Sequence, residues 1–186
     1  GSLSQRGVSV TVVSADVASA DALARALAHV LPASGRQASV AAPPLRGILH
    51  AAGVLDDGLL TELEPARFAG VMSPKVRGTW NLHELSARLT LDFFVTFSSG
   101  SAILGSPGQA NYSAANAFMD ALAHWRRRAG QHALSINWGS WSGVGMAASL
   151  DDSHRRRWAA LGALMIEPSA GVEMLSEPCG DGVRRA

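Results

Sequence analysis

The run Phe93-Phe94-Val95-Thr96-Phe97-Ser98 is aromatic, apolar and β-branched, the composition of a buried strand, and the residues beyond it change to a different period. From Tyr112 the apolar positions Ala115, Met119, Leu122 and Trp125 recur at helical spacing as far as Arg128, and Gly130 supplies a C-terminal stop. Ala133 to Trp138 then reads as a further strand. Toward the N-terminus, Glu64-Pro65 and Ser73-Pro74 each place Pro where a first helical turn tolerates it, which predicts a short helix and then a long one over Lys75 to Leu89. Gly47-Ile48-Leu49-His50 is a short strand running into Ala51-Ala52-Gly53. Ahead of it lie a loop from Pro32 to Pro44 and a helix carrying Leu23, Leu27, Val30 and Leu31, capped by Ser19 or Asp21 and stopped by Pro32. Val8-Ser9-Val10-Thr11-Val12-Val13 reads as the first strand. Strand and helix thus alternate four times, which predicts an α/β fold, a doubly wound parallel sheet with helices on both faces. Ligands bind such sheets outside the carboxyl ends of the strands, here Ala51-Ala52-Gly53, Ser98-Ser99-Gly100 and Asn137-Trp138-Gly139.

The composition narrows the classes of function. The 186 residues suit one domain, and 47% hydrophobic against 17% charged residues excludes a disordered chain. Residues 1–177 read as the folded domain and 178–186 as a disordered tail, with a loop and short basic helix over Ser140 to Ala160 and one more turn over Gly171 to Leu175. No apolar run approaches the ~20 residues that span a bilayer, and Gly1-Ser2-Leu3-Ser4 has neither a basic n-region nor an apolar h-region, so no export signal is expected. The lone Cys179 suits a reducing compartment, so a cytoplasmic location is expected. A net charge of +1 makes no electrostatic case for nucleic acid or a membrane as partner. Arg126-Arg127-Arg128 and Arg155-Arg156-Arg157 read as solvated helix ends, and the six histidines show no metal-ligand spacing, so no metal is expected.

The chemistry has few candidates, because the chain has one tyrosine, Tyr112, and one lysine, Lys75, among sixteen basic residues. Tyr112 opens a helix and Asn116 lies four residues on, so both project from one face. Ser99 ends the preceding strand. A phenol, a hydroxyl and an amide at the carboxyl edge of a parallel sheet can polarise a carbonyl and deliver a proton to it. An unperturbed phenol has a pKa of ~10 and needs a nearby cation to act near neutrality, and Lys75 is the available one.

The runs Ile48-Leu49-His50-Ala51-Ala52-Gly53-Val54-Leu55-Asp56-Asp57, Lys75-Val76-Arg77-Gly78-Thr79, Phe97-Ser98-Ser99, Gly108-Gln109-Ala110-Asn111-Tyr112-Ser113-Ala114-Ala115-Asn116-Ala117 and Asn137-Trp138-Gly139, in that order, resemble the ketoreductase domain of modular polyketide synthases. That domain is part of the short-chain dehydrogenase/reductase superfamily, whose fold is Rossmann-like. The resemblance covers about Val8 to about Leu175. It implies that Tyr112 is the proton donor to a substrate ketone and that Ser99 is a second donor to the same oxygen. It also implies that Lys75 lowers the Tyr112 pKa and touches the nicotinamide ribose, and that Asn116 holds the lysine or a relay water. Ala51, Ala52 and Gly53 match the strand-end turn that approaches the cofactor, and Asp16 matches a residue that contacts adenine. The implied reaction is hydride transfer from NADPH to a 3-oxoacyl thioester held on an acyl carrier protein, among neighbouring polyketide synthase domains.

The same resemblance implies a stereochemical class. Leu55-Asp56-Asp57 matches the stretch that marks enzymes giving the D-configured 3-hydroxyl, with Asp57 as the marker. The position of the opposite class's tryptophan is Leu104, and Pro107 and Asn111 also agree with the D-producing class. No Gly-x-Gly-x-x-Gly occurs, so the chain is expected to be an incomplete ketoreductase without the Gly-rich segment that binds the pyrophosphate. The alternative reading is a non-catalytic structural or interaction remnant of a synthase.

Overall fold

A computed structural model describes residues 7–28, 44–146, 162 and 165–175. Its elements are α1 (Ala20–Leu27), β1 (Gly47–His50), α2 (Pro65–Met72), a π-helical turn (Ser73–Arg77), α3 (Gly78–Ser86), β2 (Phe93–Ser99), α4 (Ser101–Leu104), α5 (Ala110–Arg128) and β3 (Leu134–Trp138). A last helix, α6, spans 168–175 where the sequence predicts a single turn.

The sheet is parallel, in the order β1-β2-β3. Gly47 pairs with Phe93 and His50 with Thr96, while Val95 pairs with Leu134 and Ser99 with Trp138. All three carboxyl ends therefore lie together. At the other end a two-pronged Arg46 to Asp92 ion pair, with bonds of 2.8 and 2.7 Å, and the Asp92 N–H to Arg46 carbonyl bond of 2.6 Å pin the register of β1 on β2. Leu23, Leu82, Leu91 and Phe94 form a core cluster, joining α1 and α3 to β2. The caps follow the local chemistry: the Ser19 hydroxyl accepts from Ala22 N at 3.2 Å, and Gly130, at φ +77°, lets the Gly130 and Gln131 N–H groups close on the Arg127 and Arg126 carbonyls.

The α/β reading holds, with three corrections. Val8–Val13 is not a strand: no described strand pairs with it, and Val12 is 92% exposed. β-branched composition favours an extended backbone, but a strand forms only where a neighbour supplies the ladder. Secondly, no long helix begins at Lys75. Helix runs from Pro65 through the π-helical turn to Ser86, because Pro74 cannot donate to the carbonyl four residues back and the ladder widens around it. Thirdly, Arg126 is not solvated. It is 2% exposed, while Arg127 and Arg128 face outward. The readings for Val30 to Pro32, most of the loop to Pro44, Arg155 to Arg157, Cys179 and the 178–186 tail fall outside the described residues.

Candidate active site

Helical geometry places Tyr112, Asn116 and Asp120 on one stripe of α5, one turn apart. That stripe meets the end of β2: the Ser98 hydroxyl donates to the Asn116 carbonyl at 3.3 Å. Across β2 the π-helical turn carries Lys75, 1% exposed, whose Nζ donates to the Phe97 carbonyl at 3.1 Å and stands 5.2 Å from the centre of the Tyr112 ring. Gly53 closes the other side, since a Cβ there would lie 2.9 Å from Lys75 Cε. Tyr112, Ser99, Asn116, Lys75 and Gly53 are thus brought together at the carboxyl edge.

Burial is the largest influence on both titrating groups, and it acts in opposite directions. It lowers Lys75 to about 8, against which Asp120 pulls upward. It raises Tyr112 above its ordinary value, while the side chains of Asn116 and Ser99 draw it back and Asp57 adds to the rise. The Lys75 amine addresses the face of the Tyr112 ring, and the burial of the phenol outweighs its neighbours in setting the direction of the shift. Tyr112 is a protonated phenol at neutral pH, as a donor must be. The lysine is held by the Phe97 carbonyl rather than by Asn116, whose Nδ2 donates to the Tyr112 carbonyl at 2.8 Å and whose buried Oδ1 has no partner.

Behind this group Asp120 is itself anchored. Ser135 donates to its Oδ1, and Asn137 Nδ2 donates to its Oδ2 at 2.7 Å as well as to Ser98 Oγ and the Ser99 carbonyl, both at 3.2 Å. The carboxylate that steadies the Lys75 charge is therefore fixed from β3.

The loop after β1 is stapled to the start of α5. Gly58 N–H donates to the Gly108 carbonyl at 2.8 Å, Gln109 Nε2 to Asp57 Oδ2 at 2.9 Å, and the fully buried Asn111 Nδ2 to the Asp56 carbonyl at 2.9 Å. Arg67 Nε donates to Asp56 Oδ1 at 2.9 Å and holds that carboxyl below its usual range. Asp57 and Asn111 are thus gathered beside Tyr112. Leu104, the last residue of α4, and Pro107, on the connection to α5, are exposed, and Ala51 and Ala52 are exposed at the end of β1. Asp16 makes a local turn, its Oδ1 accepting from Ala18 N at 2.9 Å.

Sequence reasoning missed Asp120, Gln109, Arg67 and His50. Asp120 was within reach, as it continues the four-residue spacing of Tyr112 and Asn116. His50 stands in the sequence within the run Ile48 to Asp57 that carries the resemblance, with no role of its own marked there. Among the described residues no group of His, Cys, Asp and Glu is placed to hold a metal ion, and no helix is long and apolar enough to cross a membrane.

Residues 1–143 match the sequence model of the KR domain. The chain belongs to the KR domain family. It is 43% identical over 181 residues to polyketide synthase GfsB of Streptomyces halstedii, covering 97% of this chain and 3% of that one. Among solved structures it is similar to A-type ketoreductases from a modular polyketide synthase, with a TM-score of 0.83 and 40% identity over 97% of this chain and 36% of that one. A C2-type ketoreductase from a modular polyketide synthase matches at a TM-score of 0.81 and 30% identity, over 97% of this chain and 37% of that one. The KR chain described here therefore spans a small part of its synthase relative and about a third of each of these ketoreductases. Its parallel sheet with helices shares their Rossmann-like fold.

Proposed function

We propose that this KR domain takes part in NADPH-dependent reduction of a 3-oxoacyl thioester, held on an acyl carrier protein, to the D-3-hydroxyacyl thioester. The observation that carries the reading is the convergence on one phenol: Lys75 Nζ stands 5.2 Å from the Tyr112 ring, Asn116 lies one turn along the same helix with its Nδ2 on the Tyr112 carbonyl, and Asn116 and Ser99 both draw the phenol pKa down against its burial.

The residues present fit the reacting half of a nicotinamide cofactor. Ala51 and Ala52 are exposed at the end of β1, Lys75 supplies a cationic donor, and Asn116 Oδ1 is a buried acceptor without a partner. NADPH, when bound, supplies the hydride. Tyr112 and Ser99 orient the ketone oxygen by donating to it. As negative charge develops on that oxygen the Tyr112 O–H bond breaks and its proton passes across, leaving a phenolate. Lys75, still mostly protonated at neutral pH, lowers the cost of that phenolate, and Asp120 keeps Lys75 charged.

The stapled loop supports the D outcome, because Asp57, near enough to act on the Tyr112 charge, and Asn111, its neighbour in the chain, are held by Gln109 and the Asp56 carbonyl. Fold likeness does not discriminate here, since A-type and C2-type structures match almost equally. The test supplies a Gly-rich strand-turn-helix segment in trans and measures NADPH oxidation with a 3-oxoacyl N-acetylcysteamine thioester. Oxidation giving mainly the D-alcohol on chiral chromatography, with Asp57→Ala eroding selectivity several-fold, supports the proposal; ~1.4 kcal/mol separates tenfold selectivities. Mainly L-alcohol refutes the stereochemical part. A folded complex without turnover supports the structural-remnant reading instead.

A further inference from the structure

We propose that His50 is a positioning residue for Lys75: by donating from Nε2 to the Pro74 carbonyl it holds the π-helical turn from which Lys75 reaches the end of β2. His50 closes β1, is 3% exposed, and places Nε2 at 3.1 Å from that carbonyl. The carbonyl has no proton to give, so the ring carries its hydrogen on Nε2.

The backbone around Pro74 shows why a side chain is needed there. In an α-helix the Gly78 N–H would serve the Pro74 carbonyl. Here it serves the Ser73 and Lys75 carbonyls, and His50 comes to the carbonyl it has left. The Thr79 hydroxyl takes the Lys75 carbonyl as well, so the wide turn is tied from both sides. If the turn relaxed to α-helical, the one-residue change of register would rotate Lys75 by about a quarter turn or more, away from Phe97 and Tyr112.

Histidine suits the task because it can donate while uncharged. Burial, and then the neighbouring Lys75, lower its pKa to about 4, so it adds no second positive charge beside the lysine at neutral pH. The titratable groups acting here are His50 from β1, Lys75 from the π-helical turn, and Asp120 and Tyr112 from α5.

The inference rests on the proposed catalytic role of Lys75 only for its purpose, and its test needs neither cofactor nor substrate. Lys75 is the single lysine of the chain, so side-chain isotope labelling of lysine gives one ammonium signal whose pH titration reports that residue alone. The native midpoint is expected at about 8. His50→Leu removes the donor and keeps the bulk, and the midpoint is expected to rise by more than about one unit toward the ordinary lysine value of ~10.4, a tenfold or greater change in acidity. His50→Gln restores an N–H donor and is expected to hold the midpoint near the native one. Should His50→Leu fail to fold by circular dichroism, His50→Asn, whose donor falls short, takes its place with the same expectation. An unmoved midpoint in the folded donor-less variant, or a midpoint in His50→Gln as high as in that variant, overturns the proposal. Absence of reductase turnover would count against the functional reading and leave this titration intact.

Discussion

Lys75 and Arg126 are both buried cations, and they are accommodated in different ways. The Arg126 guanidinium lies 4.1 Å from the centre of the Phe94 ring, has His83 Nδ1 at 2.6 Å, and donates from Nε to the His132 carbonyl at 3.4 Å. His83 is in turn packed between the Trp80 and Trp125 rings, each 5.2 Å away. Lys75 has one bond of its amine, to the Phe97 carbonyl, and the more distant pull of Asp120. Burial lowers the pKa of both, but a guanidinium does not deprotonate in proteins, so the fold must surround it with an aromatic face and acceptors. An amine can answer burial by losing its proton, and a midpoint of about 8 puts that loss within reach of neutral pH. Arg126 is buried for packing between α3, α5 and β2, whereas Lys75 is buried beside a phenol that has a proton to give.

The largest effect separating the two regions is on turnover. In the assembly supplied with the Gly-rich segment, Tyr112→Phe is expected to lose at least ~10²–10⁴-fold in rate with little change in cofactor affinity, measured by steady-state kinetics and NADPH titration. Retention of more than about a tenth of the rate would remove Tyr112 from its role. On the Arg126 side the large effect is on stability instead. His83→Leu takes away the nearer of the guanidinium's two acceptors and leaves the His132 carbonyl, and urea unfolding is expected to show a loss of about 3 kcal/mol, as for other buried charges stripped of a partner. A change below about 0.5 kcal/mol would mean that Arg126 is as weakly held as Lys75.

Acid titration sharpens the contrast further. His50 and His83 are both lowered by burial and then by the adjacent Lys75 or Arg126. The unfolded chain takes up protons near pH 6.5 while the folded chain does not, so stability falls as pH drops from about 6.5 toward 4 and then levels for His50. The His50 share is about 3 kcal/mol across that window, seen as the difference in pH dependence between the native chain and His50→Gln in urea unfolding.

How much of this was legible in the sequence differs between the two regions in the same way. The stripe proposed as catalytic was readable because Tyr112 and Asn116 are four apart on a helix of clear period, and the helix itself stands as read within two residues. Lys75 was readable as the lone lysine. Its immediate setting was not, because Ser73-Pro74 looks like a helix start, and only the packed structure shows the ladder widening across it. Arg126 could not be told from Arg127 and Arg128, since one step along a helix turns a side chain by ~100° and the position of the core decides which one is buried. Val8–Val13 failed for a related reason, as strand formation depends on a partner that local composition does not contain.

The central claim, that Lys75 is buried for chemistry and at a cost to the fold, is tested most directly by the unfolding free energy of Lys75→Met. Moving an amine from an ordinary value of 10.5 to about 8 disfavours the charged form in the folded state. The folded state binds fewer protons than the unfolded one between those values, so native stability rises with pH from about 8 toward 10.5, and the penalty is complete below about 8. Urea unfolding at pH 7 is expected to find Lys75→Met more stable than the native chain by about 1–3 kcal/mol, with the rise above pH 8 flattened. A Lys75→Met chain destabilised by about 3 kcal/mol, as expected for His83→Leu, would contradict the claim and make Lys75 a structural cation like Arg126.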